Sequence, residues 1–205
     1  MFTIKKVLHL ISTERMVLYF ALVGWFKDQT VQRNTSIYPY NKTSQIKTIV
    51  ILFSILILLE GTIFHFLIQL WSQVAAWALT ILNIYALLYM VGLYHSVRTL
   101  PHTLNKDTLI IRHGYQSSIE INIKNIESIK PAKDQEGIED KRKKDIFYAL
   151  MVMDSPQYEI LLKKPAPMIG MYGRKKYVKT IVFRADDPNQ MVEDIKRTMG
   201  SSGHS

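Results

Sequence analysis

Glu60, His65 and Asn83 are the residues best placed to do chemistry, because each is a polar side chain inside an oily run. A carboxylate in the middle of a membrane helix is costly, and such residues face protein or water and often serve function. Glu60 is therefore expected as the neutral acid, donating to Asn83 or to a backbone carbonyl. Two readings follow: a proton or ligand site, or polar glue between helices worth about 1 kcal/mol or less per pair. Glu60 and His65 are about 140° apart around a helix, so the two alone make a poor metal site.

The second candidate is GMYGRKKYVK, residues 170–179. Gly170 and Gly173 permit tight turns on which backbone N–H groups converge, and Arg174, Lys175 and Lys176 supply charge. The segment follows Pro165–Pro167, read as a flexible turn. It suits the phosphate of an anionic lipid, each basic residue near a membrane surface contributing ~1 kcal/mol. The competing reading is an ordinary solvated basic loop. A P-loop is excluded, since no Ser/Thr follows the lysines and the strand–loop–helix context is missing. KRKK at 141–144 lies among acids and reads as a solvated loop.

No catalytic motif accompanies these residues. The six histidines are His9, His65, His95, His102, His113 and His204, and none sits in a metal-binding or triad pattern. His95, Arg98 and His102 read as interfacial polar residues. Cysteine is absent, which excludes disulfides, thiolate nucleophiles and Cys-ligated metals. The expectation is no catalytic residue, no metal and no cofactor.

These side chains must be positioned by unusual elements. The chain has 205 residues, a formal net charge of +9 and 48% hydrophobic residues, and its mean hydropathy is +0.03. So much apolar content in so basic a chain must be concentrated. TIVILFSILILLEGTIFHFLIQL (48–70) and VAAWALTILNIYALLYMVGLY (74–94) hold it, and each reaches the roughly 20 residues that a bilayer core requires. Only Trp71, Ser72 and Gln73 separate them. Backbone in lipid must satisfy its own hydrogen bonds, so the reading is a two-helix transmembrane hairpin over 46–97. Trp71 and Tyr94 suit the interfacial aromatic belt.

Charge sets the orientation. Residues 1–47 carry seven Lys/Arg against two acids, and residues 98–205 carry nineteen against fourteen, while the turn carries none. The positive-inside rule then places both termini in the cytoplasm of a multi-pass cell-membrane protein. The basic balance is a topology signal, and no nucleic-acid-binding pattern accompanies it.

Residues 1–45 read as an N-terminal segment and connector. Met16–Phe26 is too short to span. It is expected to lie at the cytoplasmic interface, with Tyr19, Trp25 and Phe26 at headgroup level, or to dock on the helix pair. Residues 103–199 read as an antiparallel β domain with strands at 107–112 and 118–123, a charged loop at 131–145, a hairpin of 146–153 with 158–164, and a strand at 178–184. A helix over Pro188–Met199 starts on an Asp187 cap, and Met191, Ile195 and Met199 form its apolar stripe. The tail 200–205 reads as disordered.

The pattern IEINIKNIESIKP (119–131) and the ending IVFRADDPNQMVEDIK (181–196) resemble bacterial pleckstrin-homology-like (PH-like) domains, which often follow a two-helix membrane hairpin. More closely, LLEGTIFHFLIQLWSQVAAWALTILNIYALLYM (58–90) and APMIGMYGRKKYV (166–178) resemble a family of uncharacterised integral membrane proteins of Bacillus-type Gram-positive bacteria. The resemblance covers roughly residues 45–199, and the family has no established activity. Some members carry the name carotene oxygenase, or carotene monooxygenase. That enzyme class is a large propeller with four His iron ligands, and neither the size nor the ligand set occurs here.

The fold class read from the chain is an α+β membrane protein: a transmembrane hairpin plus a PH-like cytoplasmic β domain closed by a C-terminal helix. The function read is a membrane-anchored, non-enzymatic module. Its partners would be the bilayer, anionic lipid headgroups, and a second copy or another membrane protein, with no nucleic acid. The alternative is a subunit of a membrane transport or enzyme complex that uses Glu60.

Overall fold

The computed structural model describes residues 4–27, 35–132 and 145–201. The cluster 141–144, and all of the tail beyond Ser201, lie outside the described residues. The fold is mixed α+β. Helix α1 spans Ile4–Leu22, α2 Ile46–Gln69, α3 Gln73–Thr99 and α4 Pro188–Ser201. Strands β1 (Ser36–Tyr38), β2 (His102–Leu104), β3 (Thr108–His113), β4 (Ser117–Asn122), β5 (Ile126–Pro131), β6 (Ile146–Ala149), β7 (Tyr158–Gly170) and β8 (Lys175–Phe183) form one eight-stranded sheet.

Helices α2 and α3 have 24 and 27 residues, and both are long and apolar enough to cross a membrane. They form an antiparallel hairpin whose short turn is capped by Ser72, the Oγ of which accepts from the Ala75 N–H. Their surface is the reverse of a soluble core helix: Leu70, Trp71 and Val74 at the turn are 80%, 85% and 81% exposed. Apart from Ala76 near the turn, burial is confined to the remote end, through Ile46, Ile49 and Val50 on α2 and Leu93 and Val97 on α3 among others.

The sheet is built on alternation. Leu109 and Ile111 of β3 and Ile119 and Ile121 of β4 point to one side, where they meet Ile160 and Leu162 of β7 and Met191, Val192 and Ile195 of α4. Full burial of each such aliphatic side chain contributes about 1.5–3 kcal/mol. The Asp187 carboxylate accepts from the Gln190 N–H at 3.1 Å, so α4 starts on its cap.

Three expectations from sequence are corrected. Residues 146–153 and 158–164 do not form a hairpin: β6 pairs in parallel with β8, and β8 separates it from β7. Pro165–Pro167 is no flexible turn, because β7 runs through it to Gly170. The ladder slips between Leu161 and Ala166, so Pro165 falls where no regular strand bond is required. There the Asn125 side chain substitutes for a strand, accepting from the Lys164 N–H at 3.0 Å and donating to the Lys164 carbonyl at 2.9 Å. Finally, the connector before α2 contributes the edge strand β1, antiparallel to β2.

The sheet is fastened to the remote end of the hairpin. Val17 and Phe20 of α1, Ile46 and Val50 of α2, Leu93 and Val97 of α3, and Tyr40 and Tyr115 share one buried cluster. Asp154 Oδ2 accepts from Ser44 Oγ at 2.5 Å, and its Oδ1 accepts from the Gln45 N–H at 2.8 Å, at the first turn of α2. Asp186 accepts from the N–H groups of Lys42 and Thr43. The β3–β4 turn presses on α3: Gly114 has φ +50°, and a Cβ there would lie 2.5 Å from Ser96 Oγ. Glycine is required for both reasons.

Candidate functional site

Two places gather the polar groups singled out from sequence. The first lies between α2 and α3. Residues 54, 57, 61, 65 and 68 of α2 are half-buried while most of their neighbours are exposed, which marks the stripe that faces α3. Gly61 allows a close approach, since a Cβ on it would lie 2.5 Å from Asn83 Nδ2. His65 Nδ1 and Thr80 Oγ1 are 2.7 Å apart. Thr80 already donates its hydroxyl proton to the Ala76 carbonyl at 3.0 Å. Which of the two groups donates in the His65–Thr80 bond follows the tautomer of the ring. Trp77 packs edge-on against the His65 ring with centroids 5.4 Å apart. These groups, with Leu58 and Thr62, line a cleft of about 340 Å³ between the helices.

Glu60 is not part of this cleft. It is exposed and does not bond to Asn83, contrary to the sequence expectation. The reason is helical phase. Leu58 and Thr62, two residues to either side, line the cleft, and positions two apart point about 160° away from one another. The contacts Gly61–Asn83 and His65–Thr80 nevertheless set Glu60 level with Ile84, next to Asn83 in height. Among the described residues neither Glu60 nor Asn83 has a hydrogen-bonded side-chain partner.

The second place is the β7–β8 turn. Gly170 does not offer a free donor, because its N–H is given to the Arg174 carbonyl at 2.8 Å. Tyr172 and Gly173 are both left-handed, with φ 59° and 70°. This turn sits on α1: the Tyr172 N–H donates to Thr13 Oγ1 at 3.2 Å, and a Cβ on Gly173 would lie 2.7 Å from the His9 ring. Arg174 and Lys175 beyond it are exposed. Lys176 is partly buried and donates to the Ile146 carbonyl at 2.9 Å. The turn therefore combines a docked tip with two outward cations rather than a cradle of backbone donors.

Helix α1 takes the docked one of the two placements read for Met16–Phe26. It lies along α3, where a Cβ on Gly92 would meet the Val17 carbonyl at 2.8 Å, and Tyr85 Oη donates to Glu14. Arg98 donates to the carbonyls of Gly24, Trp25 and Lys27, closing the end of the segment. Its outer face stays apolar and exposed, with Leu8 at 60%, Leu22 at 61% and Trp25 at 62%. The Trp25 ring is tilted at 54° against His95, with centroids 4.5 Å apart. His95 is buried, and neither ring nitrogen has a partner among the described residues.

His102 is a core residue rather than an interfacial one. It stacks on Tyr40 with centroids 4.4 Å apart, its Nε2 donates to the Arg184 carbonyl at 2.9 Å, and its Nδ1 accepts from the Arg112 N–H at 3.1 Å. One nitrogen must donate and the other must accept, so the ring is neutral. Burial pushes its pKa down to about 4. Burial also lowers the pKa of His113 and raises those of Tyr40 and Tyr115. No three His, Asp or Glu side chains come together as a metal site among the described residues.

Compared with protein-family models, curated proteins and solved structures, the chain matches none.

Proposed function

We propose that the chain is a membrane-anchored, non-enzymatic module whose hairpin crosses the bilayer and whose sheet domain meets anionic headgroups on the cytoplasmic side. One observation carries this reading: an exposed apolar shaft projects from a sheet domain that is locked to its opposite end by Asp154 and Asp186. Burying such a shaft in hydrocarbon removes the exposed apolar surface that a soluble chain would not tolerate. The basic ends then lie together, opposite a turn without charge, which supports cytoplasmic termini.

The outer face of α1 continues the oily surface, and Trp25 and Phe26 suit the headgroup boundary. The turn that rests on α1 carries Arg174 and Lys175 outward, within reach of phosphates in the same leaflet. A meander of strands closed by a C-terminal helix supports the PH-like reading; the parallel β6–β8 pair departs from an all-antiparallel sheet.

The test uses the full chain in nanodiscs of zwitterionic lipid with one quarter phosphatidylglycerol. Hydrogen exchange of the amides at 171–176 should slow relative to purely zwitterionic discs. Arg174→Ala with Lys175→Ala should abolish the difference. Equal exchange in the two lipids for the unmodified chain contradicts headgroup binding.

A further inference from the structure

We propose that the intramembrane polar residues form a joint between two copies of this chain, in which Glu60 on the back of one hairpin enters the front cleft of the next and donates to Asn83. This inference rests on the membrane-spanning reading above.

Three observations carry it. First, Glu60 is exposed on a helix whose surroundings would be hydrocarbon, and its own hairpin supplies no partner. A carboxyl group facing acyl chains is costly, and a neighbouring helix that accepts its hydrogen bond offsets part of that cost. Second, the cleft between α2 and α3 presents an unbonded Asn83 amide and the His65 ring, with no described side chain filling it. Third, the donor and the acceptor stand on opposite faces at one height, because the Gly61–Asn83 contact places Glu60 beside Asn83 along the hairpin.

Copies inserted with the same orientation are related by rotation about the membrane normal, which preserves depth. Glu60 of one copy therefore arrives level with Asn83 of the next without any vertical shift. His65 stands about 7.5 Å nearer the turn than Glu60, so it borders the joint and Asn83 is the acceptor. The contact is heterologous, since back meets front, and it closes as a ring or extends as a row. Helix α1 leaves both faces open, because it packs on α3 through Tyr85 and Gly92. Those positions lie about half a turn around α3 from Asn83 and Leu87, which face α2.

The chain contains no cysteine, so introduced thiols report alone. Phe64→Cys places a thiol on the Glu60 face, and Thr62→Cys places one beside the cleft. The two variants, carrying tags of different size, are co-expressed, and their membranes are oxidised with copper phenanthroline. The mixed disulfide should form, and each variant alone should stay mostly monomeric. Glu60→Leu or Asn83→Leu in both chains should weaken the cross-link about five- to tenfold while the protein stays in the membrane pellet after carbonate washing. A Phe64→Cys disulfide with itself as the main product overturns the back-to-front arrangement. So does an absent cross-link, or one unchanged by Glu60→Leu, in protein that remains in the pellet. Recovery of the unmodified chain in the carbonate supernatant overturns the membrane reading itself. The Leu variants remove polar atoms from hydrocarbon, so loss of insertion does not explain a lost cross-link.

Discussion

Asp154 accepts the hydroxyl proton of Ser44 at 2.5 Å across 110 residues of sequence, and this bond ties the sheet to the first turn of α2. The same carboxylate takes the Gln45 N–H, so a buried acid sits at the positive end of a helix dipole with both oxygens satisfied. Such a joint fixes the angle between the sheet and the hairpin.

Asp154→Ala leaves the Ser44 hydroxyl and the Gln45 N–H without their acceptor and should cost about 2 kcal/mol. Thermal unfolding of the full chain in detergent should show a lower midpoint. Protease should also cut more rapidly near residues 151–155, because the loop loses its anchor to α2.

His102 makes stability depend on pH. Its folded pKa of about 4 lies below the ordinary value of 6.5. The unfolded chain therefore takes up a proton between those values before the folded chain does. The contribution is fully present above pH 6.5 and is lost as pH falls toward 4, by about 3 kcal/mol at most. His113 is shifted in the same direction by burial. Unfolding midpoints measured from pH 7.5 to pH 4 should fall, and His102→Gln should be less stable at pH 7.5 yet show a shallower fall. An identical pH slope in the variant contradicts the assignment.

Gly92 sets the distance between α1 and α3, with a Cβ position only 2.8 Å from the Val17 carbonyl. Backbone cannot yield there as a side-chain tip would. Gly92→Leu should separate the two helices at a cost of about 2 kcal/mol. Trypsin should then cleave at Arg15 several times faster, with little change in the sheet's resistance.

The two hairpin helices and the α4 cap were legible because their signals are local: an unbroken apolar run, and Asp187 placed before Pro188. The alternation of Ile119, Ile121 and Ile123 likewise marked a buried face directly. What stayed hidden depends on distant partners. β1 has three residues and gains its strand geometry from β2. The parallel β6–β8 pair leaves no turn signal between adjacent segments, so DSPQ (154–157) read as a hairpin loop. At the polar cleft, matching Glu60 to Asn83 used height along the hairpin and ignored phase around α2. Gly61, a small residue in line with Ile57 and His65, was the signal that marked the face toward α3. The basic turn was found by its charge, whereas its seat on Thr13 and His9 required the third dimension.

Labelling of single cysteines in intact cells tests the central claim most directly, since the chain has no thiol of its own. Gln73→Cys at the hairpin turn and Tyr177→Cys on the exposed part of β8 are compared with a membrane-impermeant maleimide. The account predicts that the turn cysteine reacts from outside and that the β8 cysteine reacts only after the membrane is opened. Reaction of the β8 cysteine in sealed cells, or a turn cysteine that reacts only after permeabilisation, would contradict a hairpin that crosses the bilayer with its sheet domain inside.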